Sequence, residues 1–309
     1  GAQKSTQQHN VAQEASAAAA YRYNKTDVTM DQRYYHYYEA NEATINLDEI
    51  ASCERNAKIL QRLRDGDENL SSIILRSKYS RYEPNPNPFV IKIENEDEVG
   101  WLGYFIGKSR CLQKLSIDYL PKGEGGEQQT RAFFDGIARN HSIRTLCAGD
   151  RSDDEISVIC AEVLINLSQL EVLHLKLSNY HCCSALGTAL RLRSGTLKLK
   201  ELRLYNGHIG DVGVTSLEDG FARIAPFLKT LDLRCNSIGN DGLTTLVRAL
   251  ANCTGLEILD LSENDFSLAA AGLGSLSHWL QRKQMNLKEI NLGYCRINDD
   301  GLQALAEGV

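Results

Sequence analysis

Eight copies of one leucine pattern run through most of this 309-residue chain. In the clearest copy Leu228, Leu231 and Leu233 are followed by Asn236, Ile238 and Gly242. Leu243, Leu246, Val247 and Leu250 come next, at the recurrence of one helix face. The first group predicts a short strand, the Asn–Gly stretch a sharp turn, and the last group an amphipathic helix. Such a unit cannot bury both apolar faces alone and needs a neighbour of its own kind on each side. Leu256, Leu259, Leu261 and Leu287, Ile290, Leu292 follow it, with Asn264 and then Cys295 at the place of Asn236. Leu170, Leu173, Leu175 and Leu199, Leu202, Leu204 precede it. More worn copies are Leu70, Ile73, Leu75; Leu112, Leu115, Ile117; and Ile143, Leu146, Ala148. The starts are separated by 42, 31, 27, 29, 29, 28 and 31 residues.

On these residues, from about Asn69 to Val309, the chain resembles the leucine-rich repeats of the ribonuclease-inhibitor type. The resemblance implies an α/β leucine-rich-repeat solenoid: a right-handed horseshoe with a parallel sheet on the concave face and helices on the convex face. A solenoid grows without one central core, so the length does not by itself demand two domains. Three regions are expected: residues 1–30 as a disordered Ala/Gln-rich segment, 31–69 as a Tyr-rich segment with a capping helix, and 70–309 as about eight repeats.

Within the second region Tyr34, Tyr35, Tyr37 and Tyr38 surround His36. Aromatics this dense are expected to pack on the open end of the solenoid or on a partner peptide. Ile50, Cys53, Ala57, Leu60 and Leu63 predict one helix over Asp48–Arg64, its acidic start suited to the helix dipole. Pro84, Pro86 and Pro88 forbid a helix and predict an extended excursion outside the repeat register. A helix resumes over Glu96–Lys108 with Val99, Leu102, Phe105 and Ile106 inward. The last stretch, INDDGLQALAEGV, stops partway through a repeat helix and leaves Leu302 and Leu305 without a following unit. A missing C-terminal cap, covered by further chain or by another protein, is the expectation.

Chemistry is harder to find. The formal charge of −6 is spread evenly, with 8 basic and 11 acidic residues in 1–69 and 26 and 29 in the rest. That excludes a broad basic field for nucleic acid but leaves room for a small local patch. Nine cysteines, an odd number with no CxxC pair, predict free thiols in a reducing, cytoplasmic compartment. No apolar run is long enough for a membrane span. The stretch LPKGEGGEQQ lacks a GxxxxGK[ST] pattern, and Glu124 and Glu127 would repel phosphate there. Asp153–Asp154–Glu155, Asn240–Asp241 and Asp299–Asp300 are expected as helix starts. His141, His174, His181, His208 and His278 fall in different repeats, none at a triad or metal-ligand spacing from Cys, Asp or Glu. His181–Cys182–Cys183 is the nearest thing to a metal cluster, but filling the core is the simpler role. No metal and no cofactor are expected.

The repeats do predict a surface. With the leucines inward, alternate residues line the sheet face. The predicted partner-binding set is Lys114, Asp118, Tyr119, Asp150, His174, Lys176, Glu201, Arg203, Tyr205, Asp232, Arg234, Asp260, Glu263, Glu289 and Tyr294. Tyr119, Tyr205 and Tyr294 are aromatics of the kind that anchor interfaces. Asp232, Asp260, Glu263 and Glu289 gather toward the C-terminal end against Arg234, which suits a basic partner. The function expected is a non-enzymatic scaffold for a protein partner, without nucleic acid, membrane or small-molecule substrate. Two alternatives are implied by similar repeats: a GTPase-activating protein like that of the Ran GTPase, and the targeting arm of a larger enzyme or receptor.

Overall fold

The computed structural model describes residues 28–77, 89–120, 127–149, 151–192, 197–282 and 286–307, side chains 28–34 and 127 apart. The expectations for residues 1–27, for the Pro84–Pro88 insert, for the glycine-rich loop, for Asp150 and for the Tyr34 ring lie outside them. The chain divides into two compact units, Gly1–Asn46 and Leu47–Val309. In the first, α1 (Val28–Asn41) carries the tyrosines, with the ring of Tyr37 edge-on to Tyr38 at 5.3 Å. Tyr38 is buried and Tyr37 is exposed.

The second unit is built on one parallel sheet of nine strands. They are β1 (Ser72–Ser77), β2 (Phe89–Ile93), β3 (Lys114–Ile117), β4 (Thr145–Ala148), β5 (Val172–Leu175), β6 (Glu201–Arg203), β7 (Thr230–Asp232), β8 (Ile258–Asp260) and β9 (Glu289–Asn291). Two helical pieces precede β1: α2 (Leu47–Ile50) and α3 (Glu54–Arg64). From β2 onward helices alternate with strands. These are α4 (Glu96–Lys108), α5 (Glu127–Ala138), α6 (Asp153–Val158), α7 (Leu164–Asn166), α8 (Tyr180–Leu192), α9 (Gly210–Ile224), α10 (Asn240–Ala249), α11 (Ala270–Leu280) and α12 (Asp299–Ala306). The unit is an α/β leucine-rich-repeat solenoid, as the repeat pattern predicts.

Register explains the leucines. Leu115, Leu146, Leu173, Leu202, Leu231 and Leu259 stand side by side on neighbouring strands and are buried. Burying a leucine contributes roughly 2 kcal/mol, so each row acts as a continuous apolar spine. A second ladder lies past the strands. Asn264 Nδ2 donates to the carbonyls of Leu233 (3.0 Å) and Leu261 (2.8 Å), while its Oδ1 accepts from the N–H of Asn236 (3.1 Å) and Ile238 (2.9 Å). Asn236 repeats this one unit earlier, donating to Leu233 O and accepting from Gly207 N–H. The recurring asparagine is therefore a buried staple that satisfies turn backbone in its own repeat and the one before. On the helical side α4 and α5 touch through glycines. A Cβ at Gly136 would lie 2.0 Å from the carbonyl oxygen of Gly103.

Two expectations need correcting. Eight of the nine strands carry the eight leucine triplets, and the ninth was not expected. Phe89–Ile93, part of the stretch read as an excursion outside the register, pairs parallel to β1 and forms the sheet edge on the side away from β3. Its alternating FVIKI buries Val90, Ile91 and Ile93, and that burial outweighs the break in repeat spacing. The expected single helix over Asp48–Arg64 is broken at residues 51–53, leaving Cys53 exposed. Ser52 is drawn into tertiary bonds, its hydroxyl donating to Glu98 Oε2 and accepting from Glu94 N–H at 3.1 Å. Glu98 itself, in the first turn of α4, is fully buried, and Asn56 Nδ2 donates to it at 2.7 Å. Burial pushes its carboxyl pKa up, against the hydrogen bonds from Ser52 and Asn56.

The helix starts are where the sequence puts them. Ser152 and Glu155 form a reciprocal capping box at α6, and the Asn298 side chain accepts from Gly301 N–H at α12. Cys182 and Cys183 are buried in the core, and all nine cysteines carry free thiols.

A candidate binding face on the sheet

Between the leucine rows, the residues that point away from the core form two outward rows across the strands. One runs Lys114, Thr145, Val172, Glu201, Thr230, Ile258, Glu289. The other runs Ser116, Cys147, His174, Arg203, Asp232, Asp260, Asn291. Arg76 lies near the end of β1, and past the ends of other strands stand Asp118, Lys176, Tyr205 and Arg234. Thirteen of the fifteen residues in the predicted set are accounted for by these rows and the loops described next. Of the others, Tyr119 follows Asp118 and is part-buried, and Asp150 lies outside the described residues.

The middle of this face is neutralised by its own contacts. His174 Nε2 lies 2.7 Å from Glu201 Oε1, and Arg203 Nε donates to the same oxygen at 2.7 Å. A carboxylate only accepts, so Nε2 carries the proton and Nδ1 is left as an acceptor. Cys147 Sγ, 3.5 Å from that Nδ1, is placed to donate to it. Burial lowers the His174 pKa despite the adjoining carboxylate. For Glu201 burial acts upward, but His174 and Arg203 outweigh it and the pKa falls. Burial raises the Cys147 thiol. No triad or metal-ligand spacing marks these residues in the sequence, yet the sheet register brings together Cys147, His174 and Glu201 at intervals of 27. Thiol, imidazole and carboxylate in that order have the layout of a nucleophile, its base and an orienting acid. A thiol held protonated by burial is poorly suited to attack, and the chain of bonds serves to fix the face. Among the described residues no group of three His, Cys, Asp or Glu side chains could hold a metal ion.

Toward the C-terminal end the balance changes. Asp232 is only 4% exposed, lies 3.6 Å from Arg234 Nε, and has its carboxyl pKa raised by burial. Arg234 in turn lies over the Tyr205 ring at 5.0 Å. Asp260 accepts from Ser262 and Asn291. Glu263 and Glu289 are exposed, and their carboxylates have no partner among the described residues. In the loops just beyond, Asn206, Cys235, Glu263 and Tyr294 occupy equivalent positions and are all left-handed, with φ of 56°, 55°, 58° and 59°. The N–H groups of Asn206, Cys235 and Glu263 each donate to the next loop's carbonyl, at 3.1, 2.9 and 2.8 Å. That ladder holds backbone that non-glycine residues seldom adopt. Glu263 and Tyr294 are its last two members, and Tyr294 is 90% exposed. The ladder was missed in the sequence because no glycine marks it.

Similarity to known proteins agrees with this architecture. The family model described as Leucine Rich repeat matches residues 225–247 and 283–306. Ribonuclease inhibitor of Sus scrofa is 32% identical over 148 residues, 47% of this chain and 31% of that protein. Ribonuclease inhibitor of Mus musculus is 28% identical over 199 residues, 63% of this chain and 42% of that one. Preferentially expressed antigen in melanoma-like protein 7 of Mus musculus is 27% identical over 167 residues, covering 53% and 34%. The chain thus spans between about a third and two-fifths of the length of these relatives. Among the described residues no helix is long and apolar enough to cross a membrane. The chain is a leucine-rich-repeat protein, and its repeats are ribonuclease-inhibitor-like.

Proposed function

We propose that the chain is a non-enzymatic interaction scaffold that takes a protein partner with a basic surface on its sheet face. The observation that carries this is the presence of two exposed, unpaired carboxylates, Glu263 and Glu289, and the exposed ring of Tyr294 on the last two repeats of the sheet. Unpaired surface carboxylates steer a cationic partner, and an exposed aromatic supplies an anchor once water is excluded around it. The ion-paired centre, Glu201 with His174 and Arg203, contributes shape and polar contacts rather than net charge. The curated relatives named as ribonuclease inhibitors act, by that name, on another protein, which supports the same reading.

The test is affinity capture with the wild-type chain beside a Glu263→Lys, Glu289→Lys, Tyr294→Ala variant. A basic protein held by the wild type at low salt, released as salt rises, and lost from the still-folded variant is the expected result. Equal retention by both chains overturns the placement on this face.

A further inference from the structure

On the edge of the sheet where strands begin, three successive turns border an open cleft of about 310 Å³ lined by Arg110, Gln113, His141, Ser142, Arg144, Ser168 and Gln169. These residues come from equivalent places in three repeats. Arg110, His141 and Ser168 each stand two residues before the first leucine-type residue of their repeat (Leu112, Ile143, Leu170), and Gln113 and Arg144 each stand one after it. Repeat stacking therefore brings an Arg, a His and a Ser into one row, at roughly the 5 Å step of neighbouring strands. In the preceding repeat the same position holds Glu68, and in the next three the row continues as Leu197, Pro226 and Thr254, so its positive charge is confined to this cleft.

No carboxylate lines the cleft. Arg110 and His141 are exposed, and neither side chain is paired among the described residues. Arg144 contacts Glu171 at 3.0 Å, but that carboxylate is shared with Lys200 at 2.9 Å, so the group keeps a net positive charge. The floor is rigid. Fully buried Asn140 donates to the carbonyls of Ile106 (2.6 Å) and Ser109 (2.9 Å) and accepts from the N–H groups of Ser142 (2.7 Å) and Ile143 (2.8 Å). The Ser142 hydroxyl, 2.8 Å from Leu112 O, ties the second turn to the first. The turns that carry the donors are thus fixed before any ligand arrives, which removes part of the ordering loss on binding.

We propose that this cleft binds a phosphate-type oxyanion, as free phosphate or as the phosphate monoester of a phosphorylated side chain. Guanidinium groups match phosphate oxygens with paired N–H donors, and the flanking Gln113, Gln169, Ser168 and His141 side chains add donors from other directions, as a tetrahedral anion requires. The volume is at the small end for ligand sites and suits one such group rather than a larger molecule. The site is separate from the sheet face, so it stands or falls independently of the scaffold reading.

The test is titration of the isotope-labelled chain with inorganic phosphate at constant ionic strength, read as amide shifts. The expected result is shifts concentrated in residues 109–113, 140–144 and 168–171. An Arg110→Gln variant of unchanged Tm should bind about tenfold more weakly. An Arg223→Gln variant, which removes an exposed cation from α9, should bind as the wild type does. A second arm replaces phosphate with a short phosphoserine peptide. Tighter binding of the peptide assigns the site to phosphorylated side chains; binding no tighter than phosphate assigns it to the free anion. Shifts spread over all basic surfaces, absent shifts at millimolar phosphate, or equal binding by Arg110→Gln would overturn the proposal.

Discussion

His174 and Glu201, 27 residues apart on adjacent strands, meet at 2.7 Å, and the carboxylate sets which imidazole nitrogen carries the proton. The contact makes stability respond to pH in two windows. Burial holds the His174 pKa below its ordinary 6.5, so the unfolded chain takes up that proton more readily. Stability is therefore lost as pH falls below about 6.5. Glu201 is also depressed, so its contribution is present above 4.5 and lost as pH falls through its lower folded value. His174→Gln keeps a donor toward Glu201 without titrating. Thermal unfolding of this variant between pH 7.5 and 5 should show a flatter Tm profile than the wild type, with the acid limb below pH 4.5 unchanged.

Asp232 has the opposite sign. Its pKa is raised by burial, with the nearby Asp260 adding to the rise, so the ionised form weighs against the fold at neutral pH. Asp232→Asn keeps an acceptor for Arg234 N–H, which Asp232 Oδ1 now binds at 3.1 Å. The variant should unfold at a higher temperature than wild type at pH 7, and the gain should vanish as pH approaches 3.

Replacing Asn264 by alanine leaves the carbonyls of Leu233 and Leu261 and the N–H groups of Asn236 and Ile238 without their buried partner. Urea unfolding should show a loss of about 2–3 kcal/mol. Because the staple joins two repeats, the loss should come with reduced cooperativity, seen as a smaller m-value.

Two glycine substitutions should act in opposite directions. At Gly136 a Cβ would meet backbone atoms of Gly103 at 2.0 and 2.3 Å, so Gly136→Ala must force α4 and α5 apart, at a loss of more than about 2 kcal/mol. At Gly274 in α11 the nearest atom to a Cβ is 3.9 Å away. Gly274→Ala should stabilise by about 0.5–1 kcal/mol in the same unfolding measurement, because alanine restricts the unfolded chain.

The leucine triplets and helix faces were legible because burial imposes them on every repeat alike. Phe89–Ile93 was not, because its apolar alternation follows three prolines and answers to no repeat interval. Glu98 looked like an ordinary acidic residue of a first helical turn. Its burial depends on Ser52 and Asn56, more than 40 residues earlier. Cys147 and His174 could have been paired by writing the repeats one beneath another, since they share a register position. Glu201 could not, for it sits two residues before the matching Arg203 and reaches His174 diagonally. The predicted acidic end shows a similar split: Glu263 and Glu289 are open, whereas sheet crowding buries Asp232.

Strand β2 lies outside β1 although it comes later in the chain. A ribosome releases the amino end first, so β1 emerges with two vacant flanks. β2 occupies one of them and β3 the other, and from Thr145 onward every new strand attaches to the flank its predecessor has just offered. The nascent chain thus accretes from one side, each repeat finding its template already made. A translational pause anywhere after Ile93 leaves growth to one edge, with the outer flank of β2 as the other edge open to foreign chains.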